Sequence, residues 1–144
     1  MAVIRSEIEI AAPASRVWKI LTDLERYPDW NPFTPRVDST LELGAEVHLH
    51  TRLRGEQLAH RVETVTEHVP GERICWGMKM GARFVLAAER RQVLTPLEAD
   101  RTRYVTDDTI TGMLTPVVTA FWGEAIQRGF DGVAAALKKR AESS

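Results

Sequence analysis

The chain has 144 residues, nineteen basic and twenty acidic, with a formal net charge of -1 at pH 7; 44% of it is hydrophobic and 27% charged. That balance suits a soluble globular chain with room for a core and excludes a disordered or fibrous one. It also excludes a global electrostatic pull toward nucleic acid or an anionic membrane. No stretch approaches the roughly 18 apolar residues of a membrane span, and residues 1–10 lack the apolar core of a signal peptide. The expectation is one cytoplasmic domain over residues 1–144. The single cysteine, Cys75, excludes an internal disulfide and a cysteine-cluster metal site. It reads as a small buried hydrophobe.

Val3, Ile4, Ile8 and Ile10 alternate with Arg5, Glu7 and Glu9, which predicts a strand over 2–10. Pro13 then opens a helix to Thr22, in which Val17, Trp18, Ile20 and Leu21 share helical spacing. The run Tyr27-Pro-Asp-Trp30-Asn-Pro-Phe33 holds two prolines four apart and permits at most a short helical turn. Strand signals follow at short intervals: 37–43, 46–53, 58–69, 73–79, 83–94 and 101–111. Gly44, the loop 54–57, Pro70-Gly71 and a turn that includes Pro96 and Asp100 punctuate them. From Gly112 to Arg140 the period becomes helical, with Thr115 placed to cap and Pro116 in the first turn. Val118, Trp122, Ile126, Phe130, Val133 and Leu137 form one stripe, and Lys138, Lys139 and Arg140 suit the negative end of the helix dipole. Seven strands joined by short turns imply an antiparallel sheet, and helices gathered on one face give an α+β domain.

Three runs carry a resemblance. Asp23-Leu-Glu-Arg-Tyr27-Pro-Asp-Trp30-Asn-Pro-Phe33, Asp108-Thr-Ile-Thr-Gly112-Met-Leu-Thr-Pro116, and Gly129-Phe130 followed by the run from Ala136 to Glu142 resemble the START-like, helix-grip (SRPBCC) superfamily. The polyketide cyclase/dehydrase and lipid-transport group is the most similar part of it, and the resemblance spans essentially the whole chain. It implies a curved sheet wrapped around the last helix with a cavity between them. The group contains carriers, cyclases and members without known activity, so function must be argued from the site. One departure stands out: Glu89, Arg90, Arg91 and Gln92 make the sixth strand more charged than a simple lipid cup requires.

Strand parity suggests the cavity wall. With Val47, Leu49 and Leu53 inward, a hairpin closed at 54–57 turns Leu58, His60 and Val62 inward too. Ile74, Trp76 and Met78 form another inner face, Phe84 and Leu86 a third, and Tyr104, Thr106, Asp108 and Ile110 a fourth. Trp30, Phe33, Val118, Trp122 and Ile126 complete the expected ligand-binding set. Asp108 and His60 in an apolar cup would have pKa values pushed toward neutrality, which suits proton transfer next to a carbonyl, with Tyr104 orienting it. The structural alternative is that Asp108 bonds backbone at the start of the long helix and His60 is a half-exposed strand residue. His48 and His50 lie two apart on the opposite face, where a metal would need a third ligand such as Glu63; a solvated face is the plainer reading, and no metal or cofactor is assigned. Arg83, Arg90, Arg91, Arg101 and Arg103 are read as keeping strands soluble rather than as an anion site. Phosphate loops and the nucleophile and zinc motifs are absent, and Ser6, Ser15, Ser39, Ser143 and Ser144 are poorly placed for covalent catalysis.

The expected partner is therefore a hydrophobic small molecule, lipid-like or polycyclic, with no nucleic acid and no integral membrane association; a homodimer is left open. An acid–base cyclase/dehydratase without a covalent intermediate is the alternative, and a non-catalytic protein-interaction module a further one.

Overall fold

The alternating start forms β1 (Ala2–Ile10), and the first helix, α1, runs over Ala14–Thr22. This is a computed structural model, describing residues 1–82 and 84–143. Val17 and Leu21 carry the buried face of α1. A 3₁₀ helix (Leu24–Asp29) follows, and the Tyr27 hydroxyl donates to Leu21 O at 2.5 Å, folding the proline-rich run back onto α1. The strands are β2 (Arg36–Asp38), β3 (Glu46–Thr51), β4 (Ala59–Val69), β5 (Arg73–Met80), β6 (Leu86–Glu98) and β7 (Arg101–Thr111); the last helix is α2 (Thr115–Glu142). They form one seven-stranded antiparallel sheet in the order β1-β7-β6-β5-β4-β3-β2. The sheet curls around α2 in the helix-grip arrangement.

Several boundaries depart from the sequence expectation. The second strand stops at Asp38 rather than Leu43, because Leu41 takes a φ of 60° and turns the chain out of extended geometry. The sixth runs to Glu98, straight through Pro96; a register shift between Pro96 and Glu98 absorbs the proline, and the turn shrinks to two residues. Its expected start, Arg83, lies outside the described residues, as does Ser144. Thr115 does not cap α2. Leu114 holds the cap position, and the Thr115 hydroxyl donates to Gly112 O at 2.8 Å. Gly112 has a φ of 104°, and a Cβ there would lie 2.6 Å from Val85 O, so only glycine fits where the last strand passes into the helix.

Packing explains the grip. Ile126, Phe130, Val133, Ala134, Leu137 and Ala141 of α2 are buried, each large side chain worth about 1.5–3 kcal/mol of burial. They join two apolar clusters. One gathers α1, Tyr27, Val47, Leu49, Trp76 and Tyr104 around the C-terminal half of α2. The other gathers Ile4, Phe33, Leu86, Ile110, Ile126 and Phe130. Polar contacts fix the middle and the C-terminal end of α2 to the start of the chain. Lys138 Nζ donates to Glu9 O at 2.9 Å, Glu142 accepts from Ala11 N at 2.7 Å, and Gln127 donates to Arg5 O at 2.9 Å.

Candidate functional site

A small cavity of about 30 Å³ lies where the two clusters meet, lined by Phe33, Thr34, Leu49, Thr51, Arg61, Glu63, Trp76, Arg90, Asp108, Ile126 and Phe130. The antiparallel register explains its contents, because residues directly opposed across a pair share a face. Asp108 is opposed by Arg90, and Arg90 in turn by Trp76. Leu49 is opposed by Arg61, which places Arg61 and then Glu63 on the inner side. The cavity wall is therefore mixed: Phe33, Leu49, Trp76, Ile126 and Phe130 stand beside Thr34, Thr51, Arg61, Glu63, Arg90 and Asp108, and of the charged groups Glu63 is 8% exposed and Arg90 9%.

Arg90 is held from two sides. Its Nε donates to Thr106 Oγ1 at 3.1 Å, and its guanidinium carbon lies 4.5 Å from the centre of the Phe130 ring. Its Nη2 is buried without a hydrogen-bond partner, and so are Asp108 Oδ1 and Thr51 Oγ1. Burial pushes the Asp108 carboxyl above the usual carboxylate range, opposed by the charges of Arg90 and Arg61. Glu63 is raised for the same main reason, with Arg61 lowering it and Asp108 adding a like-charge push. Arg61 Nη2 stands 3.9 Å from Glu63 Oε2. Such a site can offer one strong donor, one acceptor and a carboxylic acid that holds its proton closer to neutral pH. Orphaned buried polar atoms are costly, at about 1–3 kcal/mol each.

The mouth is closed by contacts from two sides. Asn31 Oδ1 accepts from the backbone N–H of Phe33 and Thr34, and Arg52 N donates to Phe33 O at 2.7 Å. Together they hold the Phe33 ring in the cup, edge-on to Phe130 at 6.0 Å. From the loop 52–58, Arg54 donates to Phe121 O and lies 4.6 Å from the centre of the Trp122 ring. The loop is thereby latched to the first half of α2.

Of the ligand-binding residues expected from sequence, Phe33, Leu49, Trp76 and Ile126 line the cavity. Thr106 holds Arg90, while Met78, Leu86, Ile110, Val118 and Trp30 pack in or against the neighbouring apolar cluster. Trp122 does not line the cavity; it is partly exposed under Arg54. Phe84 is corrected: it is 72% exposed in the β5–β6 connection, before β6 begins. His60 and Val62 are also corrected. The last hairpin pair is Thr51 with Ala59, so the loop has odd length where an even one had been expected, and the parity of β4 flips. His60 opposes His50 on the outer face, and Val62 is 46% exposed. Asp108 and His60 are thus on opposite sides of the sheet. Tyr104 faces inward, but its hydroxyl donates to Gln92 Oε1 at 2.6 Å and does not reach the cavity. Glu63, weighed as an outer-face metal ligand, lies inside.

Sequence reasoning missed Arg61, Glu63 and Arg90 as cup residues. The charged sixth strand was the available signal for Arg90. Arg101 and Arg103, by contrast, pair with Glu9 and Glu7 at 3.1 and 3.2 Å on the outer face. Cys75 is buried, and burial pushes its thiol up to about 11, which makes it a poor nucleophile. A larger depression of about 500 Å³ lies on the outer face around Gly77, shallow and lined by Thr64, Thr66, Lys79, Glu89, Arg91, Thr109 and Thr111. It is unconnected with the cup. Among the described residues no helix is long and apolar enough to cross a membrane.

The family described as polyketide cyclase / dehydrase and lipid transport matches residues 1–142. Among solved structures, the chain is similar to the Zhui aromatase/cyclase from Streptomyces sp. R1128, with 25% identity, a TM-score of 0.77, and coverage of 98% of this chain and 93% of that one. A START superfamily protein from Mycobacterium smegmatis superposes with a TM-score of 0.73 at 23% identity, covering 98% and 97%. The di-domain ARO/CYC BexL of the BE-7585A biosynthetic pathway gives a TM-score of 0.77 at 19% identity, with 99% of this chain covering 47% of that one. These last two similarities concern the fold. No curated protein matches the sequence.

Proposed function

We propose that this chain, which belongs to the polyketide cyclase / dehydrase and lipid transport family, binds a hydrophobic small molecule between the sheet and α2 and takes one polar end of it at Arg90 and Asp108. The observation that carries this reading is the pair of orphaned atoms, Arg90 Nη2 and Asp108 Oδ1, on directly opposed residues of a cup whose other two charged groups, Arg61 and Glu63, stand 3.9 Å from each other. A ligand oxygen that accepts from Arg90, beside a hydroxyl that donates to Asp108, would satisfy both. The cavity as closed has room for about one water molecule, well short of the roughly 300 Å³ of ordinary ligand pockets. Binding therefore requires Phe33 and the loop 52–58 to move outward. Native mass spectrometry of the freshly purified protein, with extraction and identification of what is released, tests the reading. Titration of wild type and Arg90→Met with an apolar fluorescent probe and with a hydroxylated analogue of it goes with that measurement. A co-purifying amphipathic molecule, and a preference for the analogue that disappears in Arg90→Met, are expected. No uptake of either probe would sink it.

A second reading, an acid–base cyclase/dehydratase, is favoured by the raised pKa values of Asp108 and Glu63. The similarity to an aromatase/cyclase at 25% identity supports it as well. Here one carboxylate takes a proton from the carbon between two carbonyls. The resulting enolate forms a carbon–carbon bond to a third carbonyl, whose oxygen is stabilised by Arg90 and receives a proton from the other carboxyl group; loss of water then uses the same two groups. His60 has no part in it. Turnover of a short poly-β-ketone that persists unchanged in Asp108→Asn and Glu63→Gln would exclude these roles.

A further inference from the structure

Thr51 is the last residue of β3 and follows Val47 and Leu49 on its buried face; Ala59 opposes it on β4. It is 1% exposed and lines the same cavity as Arg90 and Asp108. Its Oγ1 is buried without a hydrogen-bond partner. A valine has nearly the shape of a threonine and suits an inner strand position at least as well, so an unbonded hydroxyl there is a cost that packing does not explain. The neighbouring polar groups do not absorb it. Arg61 and Glu63 stand 3.9 Å from each other, and Arg52 Nη1 donates to Pro32 O at 3.2 Å. In the sheet β3 is separated from β6 by β4 and β5, so Thr51 and Arg90 belong to different walls of the cup.

We propose that Thr51 is a second polar contact for the guest of the cup, so that the molecule taken up is an apolar skeleton bearing oxygens at two separated points, a diol or a hydroxy-ketone, rather than a lipid with a single polar head. This rests on the reading that Arg90 and Asp108 hold one polar end. The Thr51 hydroxyl can donate to a carbonyl oxygen or accept from a hydroxyl, and either bond satisfies the third orphaned atom of the cavity wall. A single-headed lipid with its head at Arg90 leaves Thr51 against an apolar tail, still unbonded. A site whose buried polar group stays unpaired rejects such a guest more sharply than apolar contacts discriminate by size. Phe33, Leu49, Trp76, Ile126 and Phe130 supply the apolar contact for the skeleton.

Fluorescence titration of the full chain with naphthalene, a naphthol and a naphthalenediol with hydroxyls at opposite ends of the ring system tests this, in wild type, Thr51→Val, Thr51→Ser and Arg90→Met. Wild type is expected to take the diol about five- to tenfold more tightly than the naphthol. That ratio falls to about one in Thr51→Val and survives in Thr51→Ser, which keeps the hydroxyl. Thr51→Val is also expected to melt about 2–4 °C above wild type, because it removes an unbonded hydroxyl from the closed cup. A diol bound no better than the naphthol by wild type, or a preference for the diol that Thr51→Val retains, overturns the proposal. So does a lower melting point for Thr51→Val, which would mean that the hydroxyl is already bonded within the protein. In each of these cases a preference for naphthol over naphthalene that is lost in Arg90→Met leaves the Arg90 end standing. Uptake of none of the three sinks both readings together.

Discussion

The ring of Phe33 rests on the bare backbone of Gly129: a Cβ at Gly129 would come within 2.3 Å of Phe33 Cδ1 and Cε1. On an open helix surface, glycine to alanine stabilises by about 1 kcal/mol. At Gly129 the sign reverses, because the ring has Phe130 on one side and Asn31 holding its backbone in place. Gly129→Ala is expected to lower stability by about 1–3 kcal/mol and to raise uptake of apolar probes by pushing Phe33 from the cup. Gly123→Ala, whose nearest contact is an ordinary 3.8 Å to Thr119 Cβ, should stabilise instead. Denaturant titrations of the two variants, showing shifts of opposite sign, check the argument.

A second prediction concerns pH. Burial raises Asp108 and Glu63 above their unfolded values, so the folded state binds their protons more tightly than the unfolded chain does. The stability they contribute is full below about pH 4 and is lost as pH rises through their folded values. Asp108→Asn cannot ionise and should gain stability relative to wild type as pH rises above about 4, by about 1.4 kcal/mol for each unit of upward shift. Glu63→Gln should behave alike. Unfolding free energies at several pH values, compared variant against wild type, would show a constant gap if the carboxyl groups were not perturbed.

The latch of Arg54 is a surface contact to Trp122 and to Phe121 O. Arg54→Ala should therefore cost little stability, about 0.5–1 kcal/mol, while speeding amide exchange in residues 52–58 and uptake of an apolar probe. Stopped-flow fluorescence and hydrogen exchange read the two effects separately. Unaltered uptake kinetics would mean that the loop does not guard the cup.

Gly112→Ala tests the hinge between sheet and helix. The positive φ and the 2.6 Å approach to Val85 O act together, so a loss of about 1–3 kcal/mol from strain is expected before any clash is counted. A thermal melt suffices, and a melting point equal to wild type would refute it.

Much of the architecture was legible in the sequence because it follows from periodicity. The alternation over 2–10 and the stripe Ile126, Phe130, Val133, Leu137 leave few choices of element or face. On β7 the inner face of Tyr104, Thr106, Asp108 and Ile110 was also correct, since a strand without a bulge keeps its parity. The cup's charged spot was not legible, for a single local reason. Whether β4 shows His60 and Val62 or Arg61 and Glu63 to the inside depends on one residue of loop length, and neither choice is cleanly apolar. Arg90 was visible only as an oddity of composition; its place required the pairing with Asp108 and the ring of Phe130 beneath it.

The two ends of α2 are bound very differently. Lys138 and Glu142 tie the far end, and Gln127 the middle, to β1 and its following turn, whereas Val117 and Phe121 near its start stand largely in solvent. Mechanically the helix is a beam supported at both ends, since Met113 N and Leu114 N donate to Phe84 O and Val85 O at 2.8 and 3.0 Å just before its first turn. With the sheet and both ends of the helix pinned, any guest would have to pass where the side chain of Phe33 and the loop 52–58 give way.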